Sequence, residues 1–228
     1  MARASCVEVA TCLRASILDT ESENDVTESS GRVCGMTKGT LVLGEDSFPD
    51  DQLIIHECQD SCIYALAPLA RAKVTACSDC IIILGPTSGC VTVENCTRIK
   101  LIYAATSTCI TACHESTLHL ATIRSPYLLG DNRFLQLAPY NIEYERLVLH
   151  LERAGLDVRQ NLWDRPVVLN LSKEHGKGDD SSSDNASVAV SASENLHSSE
   201  QSIEDLLLPP DQLLPFTIPF RGGPGPLA

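Results

Sequence analysis

Apolar and polar residues alternate in four copies of one short pattern in the middle of the chain. Each copy ends in a cysteine and has an apolar residue three positions earlier, as in Ile55–Cys58, Val74–Cys77, Val93–Cys96 and Ile110–Cys113. The four cysteines lie 19, 19 and 17 residues apart. Alternation with a period of two is typical of a strand with one buried face. Because helical-hairpin and propeller repeats are longer, this spacing predicts a β-solenoid with one copy per coil.

A second strand is predicted after each cysteine, with its apolar residues facing the core. The predicted inward residues are Cys62, Tyr64 and Leu66, then Cys80, Ile82 and Leu84, then Ile99, Leu101 and Tyr103, and finally Leu118 and Leu120. In the first set, the inward residues lie one position further from the repeat cysteine than in the next set, which requires a one-residue slip in the intervening turn. Stacked coils bury each apolar row against the next, and each buried Val, Ile or Leu contributes roughly 1.5–3 kcal/mol. The pattern predicts a mainly β protein with a parallel β-helix over residues 37–142, in a domain of residues 36–170, and leaves its handedness open.

The hydrophobic period changes after the repeats. Apolar residues then fall on one helical stripe, at Tyr144, Leu147, Val148, Leu151 and Ala154. Gly155 follows as a stop signal, so we expect one amphipathic helix over residues 143–154. This helix is expected to cover the last coil, because an open solenoid end exposes strand edges and apolar core. The segment 161–169 is expected to pack beside it.

Four further segments differ from the repeats in composition. Residues 1–35 are predicted to be an acidic, flexible N-terminal flank, and residues 171–202 an acidic, Ser-rich disordered linker. Residues 203–220 are apolar and Pro-rich; we expect them to dock on the domain, with a partner-binding peptide as the alternative. Residues 221–228 are predicted to be a disordered tail. Because neither end resembles a complete natural terminus, we expect the chain to be a fragment or a splice form.

Charge, hydropathy and cysteine spacing argue against nucleic-acid binding, a membrane span and a metal site. The formal net charge is −13, which argues against nucleic acid as a partner, since phosphate binding needs a basic face. No stretch approaches 18 apolar residues, so no membrane span is predicted, and the first 20 residues lack the apolar core of a signal peptide. All eleven cysteines are expected to be reduced and metal-free. The pair Cys77 and Cys80 lacks a second CxxC at zinc-finger distance, so neither a metal nor another cofactor is expected.

Two segments resemble a known family. Val93–Cys96 with the coil after it, and Leu135–Asn141, resemble the cofactor C-like (C-CAP/TBCC) domain. The resemblance covers roughly residues 36–220, interrupted by the linker, and implies a right-handed parallel β-helix with a C-terminal capping helix. Ile142–Ala154 and Asn161–Pro166 are most similar to centrosome-associated members of this family.

The resemblance also locates a degenerate catalytic motif. Family members that stimulate GTP hydrolysis carry Gln-Gln-Leu/Phe-Arg, whose arginine acts as a finger. The matching positions here are Thr106, Ser107, Thr108 and Cys109. Lys73 and Thr92, which occupy the same position as Cys109 in the two preceding repeats, are polar. The Cys109 position is therefore expected to face solvent. An arginine finger is worth about 10³–10⁵ in rate, or ~4–7 kcal/mol of barrier, which a thiol cannot supply.

We therefore predict no catalytic residue and a non-enzymatic interaction protein. The candidate partner-binding face comprises Lys73, Thr92, Cys109 and Arg98. The resemblance implies tubulin or a small Arf-like GTPase as the partner. It also implies a cytoplasmic, cytoskeletal location at the centrosome or spindle pole, with a role in centrosome and Golgi positioning and cell shape. The alternative is a GTPase-activating protein that uses a non-standard arginine, Arg98 or Arg124; a weaker alternative is a redox or metal module.

Overall fold

The computed structural model describes residues 31–169 and 203–218. The strands are β1 (Arg32–Cys34), β2 (Thr37–Leu43), β3 (Gln52–His56), β4 (Gln59–Ala65), β5 (Arg71–Thr75), β6 (Ile81–Leu84), β7 (Thr87–Glu94), β8 (Lys100–Thr111), β9 (Thr117–Thr122), β10 (Tyr127–Leu129), β11 (Gln136–Pro139), β12 (Ile142–Glu143), β13 (Val167–Leu169) and β14 (Phe216–Thr217). The helices are α1 (Leu147–Ala154) and α2 (Ile203–Leu206), with 3-10 turns at Glu45–Ser47 and Pro210–Gln212.

The strands stack in parallel along two sides of a solenoid. On the first side, β1, β3, β5, β7, the second half of β8, β10 and β13 pair in that order. On the second side the order is β2, β4, β6, the first half of β8, β9 and β11. The twelve-residue β8 bends from one side to the other. The parallel β-helix predicted from the cysteine spacing is confirmed.

One apolar core runs through all coils. The predicted inward column Ile55, Val74, Val93 and Ile110 is in register from coil to coil, and all four side chains are fully buried. This is the stacking that the period-two pattern predicts, because equivalent positions of successive coils lie directly above one another. Gly85 marks a turn where the coils approach closely: a Cβ there would lie 2.0 Å from the Ala67 carbonyl oxygen.

The corner after each first-side strand carries the repeat cysteine. Cys58, Cys77, Cys96 and Cys113 stack as a thiol ladder, and each thiol donates to the carbonyl two residues earlier at 3.2–3.5 Å. The residue before each cysteine has a positive φ of 51–54°, although these residues are Glu57, Ala76, Asn95 and Ala112. Such a conformation is unfavourable for most non-glycine residues. Backbone bonds between coils hold it, as from Ala76 N–H to the Glu94 carbonyl at 3.0 Å.

The second strand of the first full coil differs from the prediction. Ile63, in register with Ile82, faces the core, whereas Cys62 and Tyr64 face outward. The predicted one-residue slip is therefore wrong. The coil contains no inserted residue, and Ser61 takes the inward position that Cys80 holds in the next coil. The Ser61 hydroxyl is satisfied there by donating to the Gln59 carbonyl at 2.8 Å.

The helix α1 begins at Leu147, four residues later than predicted, because residues 142–143 form β12. It ends at Gly155 as predicted, in a left-handed conformation with φ 67°. The predicted stripe is rotated: Val148 is 70% exposed, whereas His150 is 1% exposed. Polar contacts explain the rotation, since the helix is tied to Glu45 of the first 3-10 turn.

Two guanidinium groups and one imidazole ring meet the Glu45 carboxylate. Arg146 contacts it at 2.6 Å, His150 Nε2 at 3.0 Å and Arg153 at 2.7 Å. The other ring nitrogen of His150 lies 2.8 Å from the Tyr144 hydroxyl. The polar contacts of α1 thus lead to the loop after β2 rather than to the last coil.

Segments after the helix contact the last coil. Asn161 accepts from Thr122 N–H at 2.9 Å and donates to the Leu120 carbonyl at 3.2 Å, and β13 extends the first side by pairing with β10. Residues 206–218, the C-terminal strap, continue this cover. Leu206 joins the core and Leu208 N–H donates to the Leu137 carbonyl at 2.8 Å.

Some predicted boundaries fall outside the described residues or shift within them. Arg32–Cys34, assigned to the flank by sequence, form β1 and pair with β3. Residues 1–30 of the predicted flank, the linker 171–202 and the tail 221–228 lie outside the described residues.

Candidate functional site

The degenerate motif lies where β8 turns onto the first side of the solenoid. Thr106 is half-buried and its hydroxyl donates to the Ser88 carbonyl at 2.7 Å. Thr108 points into the core, where its hydroxyl donates to the Val91 carbonyl at 3.0 Å and lies 2.7 Å from the Tyr103 hydroxyl. Side chains alternate along a strand, so Cys109 points outward. The motif thus has the orientation needed to present its fourth residue on the outer surface.

Cys109 nevertheless does not reach solvent. Its side chain is 3% exposed and packs with Tyr127, Leu129 and Leu169. The prediction that this position faces solvent is wrong. The physical reason lies in the following coils: the residues in register with Cys109 there are Tyr127 and Val167, which are apolar, unlike the preceding Lys73 and Thr92.

Burial also fixes the chemistry of this sulfur. Desolvation, followed by the neighbouring Cys90 thiol, raises the pKa of Cys109 to about 12. A thiol with that pKa is protonated at neutral pH, and the thiolate is the nucleophilic and metal-binding form. Cys109 therefore supplies neither a cation for phosphoryl transfer nor a reactive thiolate.

Three of the four predicted face residues lie in one column. Lys73, Thr92 and Cys109 are in register on β5, β7 and β8. The Lys73 ammonium lies 3.5 Å from a Glu94 carboxylate oxygen, and both side chains are largely buried. We call the outward surface around these residues, from Ile54 to Tyr127, the motif face.

Arg98 is not part of the motif face. It lies at the corner after the thiol ladder, with φ 53°. Its guanidinium binds the Asp79 carboxylate through two hydrogen bonds of 2.7 and 2.8 Å. The structure therefore separates Arg98 from the column that the sequence grouped it with.

Arg124 lies beside the motif, which sequence reasoning missed. Its N–H donates to the Thr106 carbonyl at 3.1 Å, which continues the register that pairs Ala105 with Thr122 and places Arg124 next to Ser107. The Arg124 side chain is exposed. The signal for this pairing was the similarity of Tyr103-Ala104-Ala105 to Leu120-Ala121-Thr122, obscured by one extra residue in the following turn.

The thiols form no recognisable redox or metal site in the described residues. The nine cysteines of residues 31–169 are free, and the thiol ladder is buried. Hydrogen bonds between neighbouring thiols raise the pKa of Cys58 and of Cys96 and lower the pKa of Cys77 and of Cys113. Burial raises the pKa of all four. Within residues 31–169 and 203–218, no group of three or more His, Cys, Asp or Glu side chains is placed to hold a metal ion.

In the part of the chain that the structure describes, no helix has the length and apolar character needed to cross a membrane.

Comparisons with known proteins identify the family. Residues 50–167 match the model of the family described as tubulin binding cofactor C (TBCC). The chain is 32% identical over 140 residues to TBCC domain-containing protein 1 of Xenopus tropicalis, covering 61% of this chain and 26% of that protein. It is 30% identical over 132 residues to the Homo sapiens protein of the same name, covering 58% and 24%.

The chain thus aligns with only about a quarter of the length of these relatives. The family match is broader in relation to this chain. It takes in the four cysteine coils, the degenerate motif and the segment up to β13, which is just over half of the sequence. The chain therefore belongs to the tubulin binding cofactor C family.

Proposed function

We propose that this chain is a non-catalytic interaction protein that binds tubulin or a small Arf-like GTPase through the motif face. The observation that carries the proposal is the burial of Cys109 at the position of the family's arginine finger. The family match supports a tubulin-related interaction role. The proposed setting is the cytoplasm and cytoskeleton, at the centrosome or spindle pole, with a role in centrosome and Golgi positioning and cell shape.

Loss of catalysis does not require loss of binding. A finger acts on charge that develops in the transition state, so removing it affects the rate more than ground-state docking. The motif face keeps an ion pair between Lys73 and Glu94, whose largely buried side chains remain 17% and 16% exposed. Such charged groups orient a partner and raise the association rate.

Binding and hydrolysis must be measured separately to test this proposal. In single-turnover reactions with tubulin or Arf-like GTPases, we expect the chain to bind and to leave the GTP hydrolysis rate within twofold. Lys73→Glu should weaken binding at least tenfold, because it reverses the charge beside Glu94 on the motif face. Arg133→Glu is the matched control: it reverses an exposed corner cation that pairs with Asp131, and it should leave binding unchanged.

Two outcomes would contradict the proposal. One is the absence of binding to any of these GTP-binding proteins. The other is a stimulation of hydrolysis of more than tenfold.

A second candidate function follows from Arg124. Its register next to Ser107 and its exposed side chain favour it as a displaced finger in a GTPase-activating protein. In that case Arg124→Ala should abolish a stimulation that Arg98→Ala leaves intact, since Arg98 is held by Asp79 at the corner. Equal rates for the unaltered chain and both variants would exclude this candidate.

The proposed location has its own test. A fluorescently tagged chain should concentrate at centrosomes in interphase cells and at spindle poles in mitosis. Lys73→Glu should reduce this signal, whereas Arg133→Glu should not. A uniform cytoplasmic signal for the unaltered chain would contradict the location.

A further inference from the structure

The outward surface of the second side of the solenoid is apolar except at its last member, His119. Its central column is in register through five strands and consists of Val42, Tyr64, Ile83, Ile102 and His119. Ile83 and Ile102 are completely buried although they point away from the core. Outward positions of a sheet are ordinarily polar unless another element covers them. We call this surface the strap face.

Two segments of the chain cover the strap face. Tyr140, Ile142 and Tyr144 come from the turn after the last coil, while Phe216 and Ile218 come from the C-terminal strap. The strap is extended here and β14 pairs with β12 in parallel through two residues. Phe216 N–H donates to the Asn141 carbonyl at 2.8 Å, and the Asn141 side chain donates to the Leu214 carbonyl at 2.6 Å. This is the geometry in which many domains bind an extended peptide beside an existing strand.

The aromatic side chain of the strap is recognised by a charge as well as by packing. The Lys100 ammonium lies 5.5 Å from the centre of the Phe216 ring, within range of a cation–π interaction. Ile218, two residues later, is buried in the same apolar cluster. The site therefore holds an aromatic residue followed at two positions by an aliphatic one.

The strap leaves part of the apolar cluster incompletely covered. Val42, Cys62, Leu66 and Ile81 belong to the apolar cluster but are only partly buried. Leu214, next to the paired residues, is 71% exposed.

Polar atoms at the site are also unused. Tyr140 Oη and Asn141 Oδ1 are buried and have no hydrogen-bond partner among the described residues. A buried acceptor without a partner is destabilising, so a segment that supplies a donor there would bind better than the strap.

We propose that the strap face is a peptide-binding site for an extended, uncharged segment of a partner protein that carries an aromatic-x-aliphatic pair. Residues 214–218 are its resident ligand within the same chain. The site is separate from the motif face, since the two surfaces lie on different sides of the solenoid. A partner peptide displaces the strap and occupies its place beside β12.

Fluorescence anisotropy with a labelled peptide of residues 210–220 tests this proposal. The full chain with Phe216→Ser and Ile218→Ser should bind the peptide at least tenfold more tightly than the unaltered chain, because the resident segment no longer competes. Phe216→Leu, a milder change that keeps the strap apolar, should give an intermediate affinity. The full chain with Leu213→Ser and Leu214→Ser is the matched control, because these exposed side chains lie beside the cluster. It should bind as the unaltered chain does.

The peptide itself supplies the remaining control. A peptide with the same two serine substitutions should not bind any variant. Equal peptide affinities for the unaltered chain and the double variant would overturn the proposal, as would binding that does not depend on the aromatic-x-aliphatic pair. A dimer of the unaltered chain in sedimentation velocity, lost in the double variant, would also overturn it, since the strap would then be bound by a second copy.

Discussion

The motif face and the strap face are built from the same coils but differ in what they offer. The motif face has polar Lys73 and Thr92 in its middle coils, between Ile54 before them and the apolar stretch of Cys109 and Tyr127 after them. The strap face is apolar throughout its centre, as Ile83 and Ile102 show, and is covered by the chain itself. Outward side chains, rather than the coil geometry, therefore decide which partners each side of a solenoid can take.

The largest expected difference between the two faces is in the free energy of unfolding lost when a side chain is truncated. Ile102→Ala should lower the free energy of unfolding by about 4 kcal/mol, because it removes a fully buried side chain beneath the strap. Thr92→Ala on the motif face should lower it by about 1 kcal/mol, since its hydroxyl lies 3.9 Å from the Cys90 sulfur and makes a weak contact. Urea denaturation of both variants measures the difference. Equal losses would remove the distinction between the faces.

A charge placed at the degenerate motif should also destabilise the chain. Cys109→Arg should lower the free energy of unfolding by about 3 kcal/mol, because it puts a guanidinium against Tyr127, Leu129 and Leu169. Cys109→Ser, which keeps the size of the side chain, should have a smaller effect. Thermal and urea denaturation provide the measurement. A Cys109→Arg variant as stable as the unaltered chain would show that the motif face is open at this position.

Acid should loosen the helix that follows β12. Burial lowers the pKa of His150, and the Arg153 hydrogen bond lowers the pKa of Glu45. The folded state therefore binds fewer protons than the unfolded state, and stability falls as the pH drops below 6.5 for His150 and again below 4.5 for Glu45. Amide hydrogen exchange of α1 should accelerate in these two steps.

Two variants separate the two steps. His150→Gln should remove the step that begins near pH 6.5. Glu45→Gln should remove the lower one and destabilise the helix by about 1 kcal/mol, a small value because the carboxylate is partly exposed and screened. Exchange in α1 that is independent of pH, after correction for intrinsic rates, would contradict this assignment.

The smallest expected effect is on cysteine reactivity. Cys62 lies at the edge of the strap face and Cys90 on the motif face, and both are half-buried. Phe216→Ser with Ile218→Ser should raise the alkylation rate of Cys62 about threefold by uncovering it and leave that of Cys90 unchanged. Mass spectrometry of the alkylated peptides resolves the two sites. A parallel rise at both cysteines would indicate general loosening instead.

The core could be predicted because its signal is local and repeated. The buried positions follow a period of two within each strand and recur at a similar spacing from coil to coil, as in Ile55, Val74, Val93 and Ile110. Because coils stack, equivalent positions lie above one another and form the core. The outer faces could not be predicted in the same way. The burial of Cys109 depends on Tyr127 and Val167, which lie in later coils and in a segment outside the repeat.

One strand of the strap face was predicted in the wrong register. Assigning Tyr64 to the core shifts the strand by one residue and reverses every side chain on it. Only Tyr64 was thereby removed from the outer column, because the inward residues predicted for the next two coils already left Ile83 and Ile102 outward. Arg124 was named as a candidate arginine, but its place beside the motif was missed, because one extra residue before Tyr127 breaks the repeat just after it.

Binding of two partners at once is the most direct test of separate roles for the two faces. The affinity of the chain for a motif-face partner, tubulin or an Arf-like GTPase, is measured with and without a saturating concentration of the peptide of residues 210–220. We expect the two affinities to agree within twofold. We also expect Lys73→Glu to weaken binding of tubulin or the Arf-like GTPase without changing peptide binding. Competition between the two partners, or loss of both on Lys73→Glu, would contradict the assignment of separate functions to the two faces.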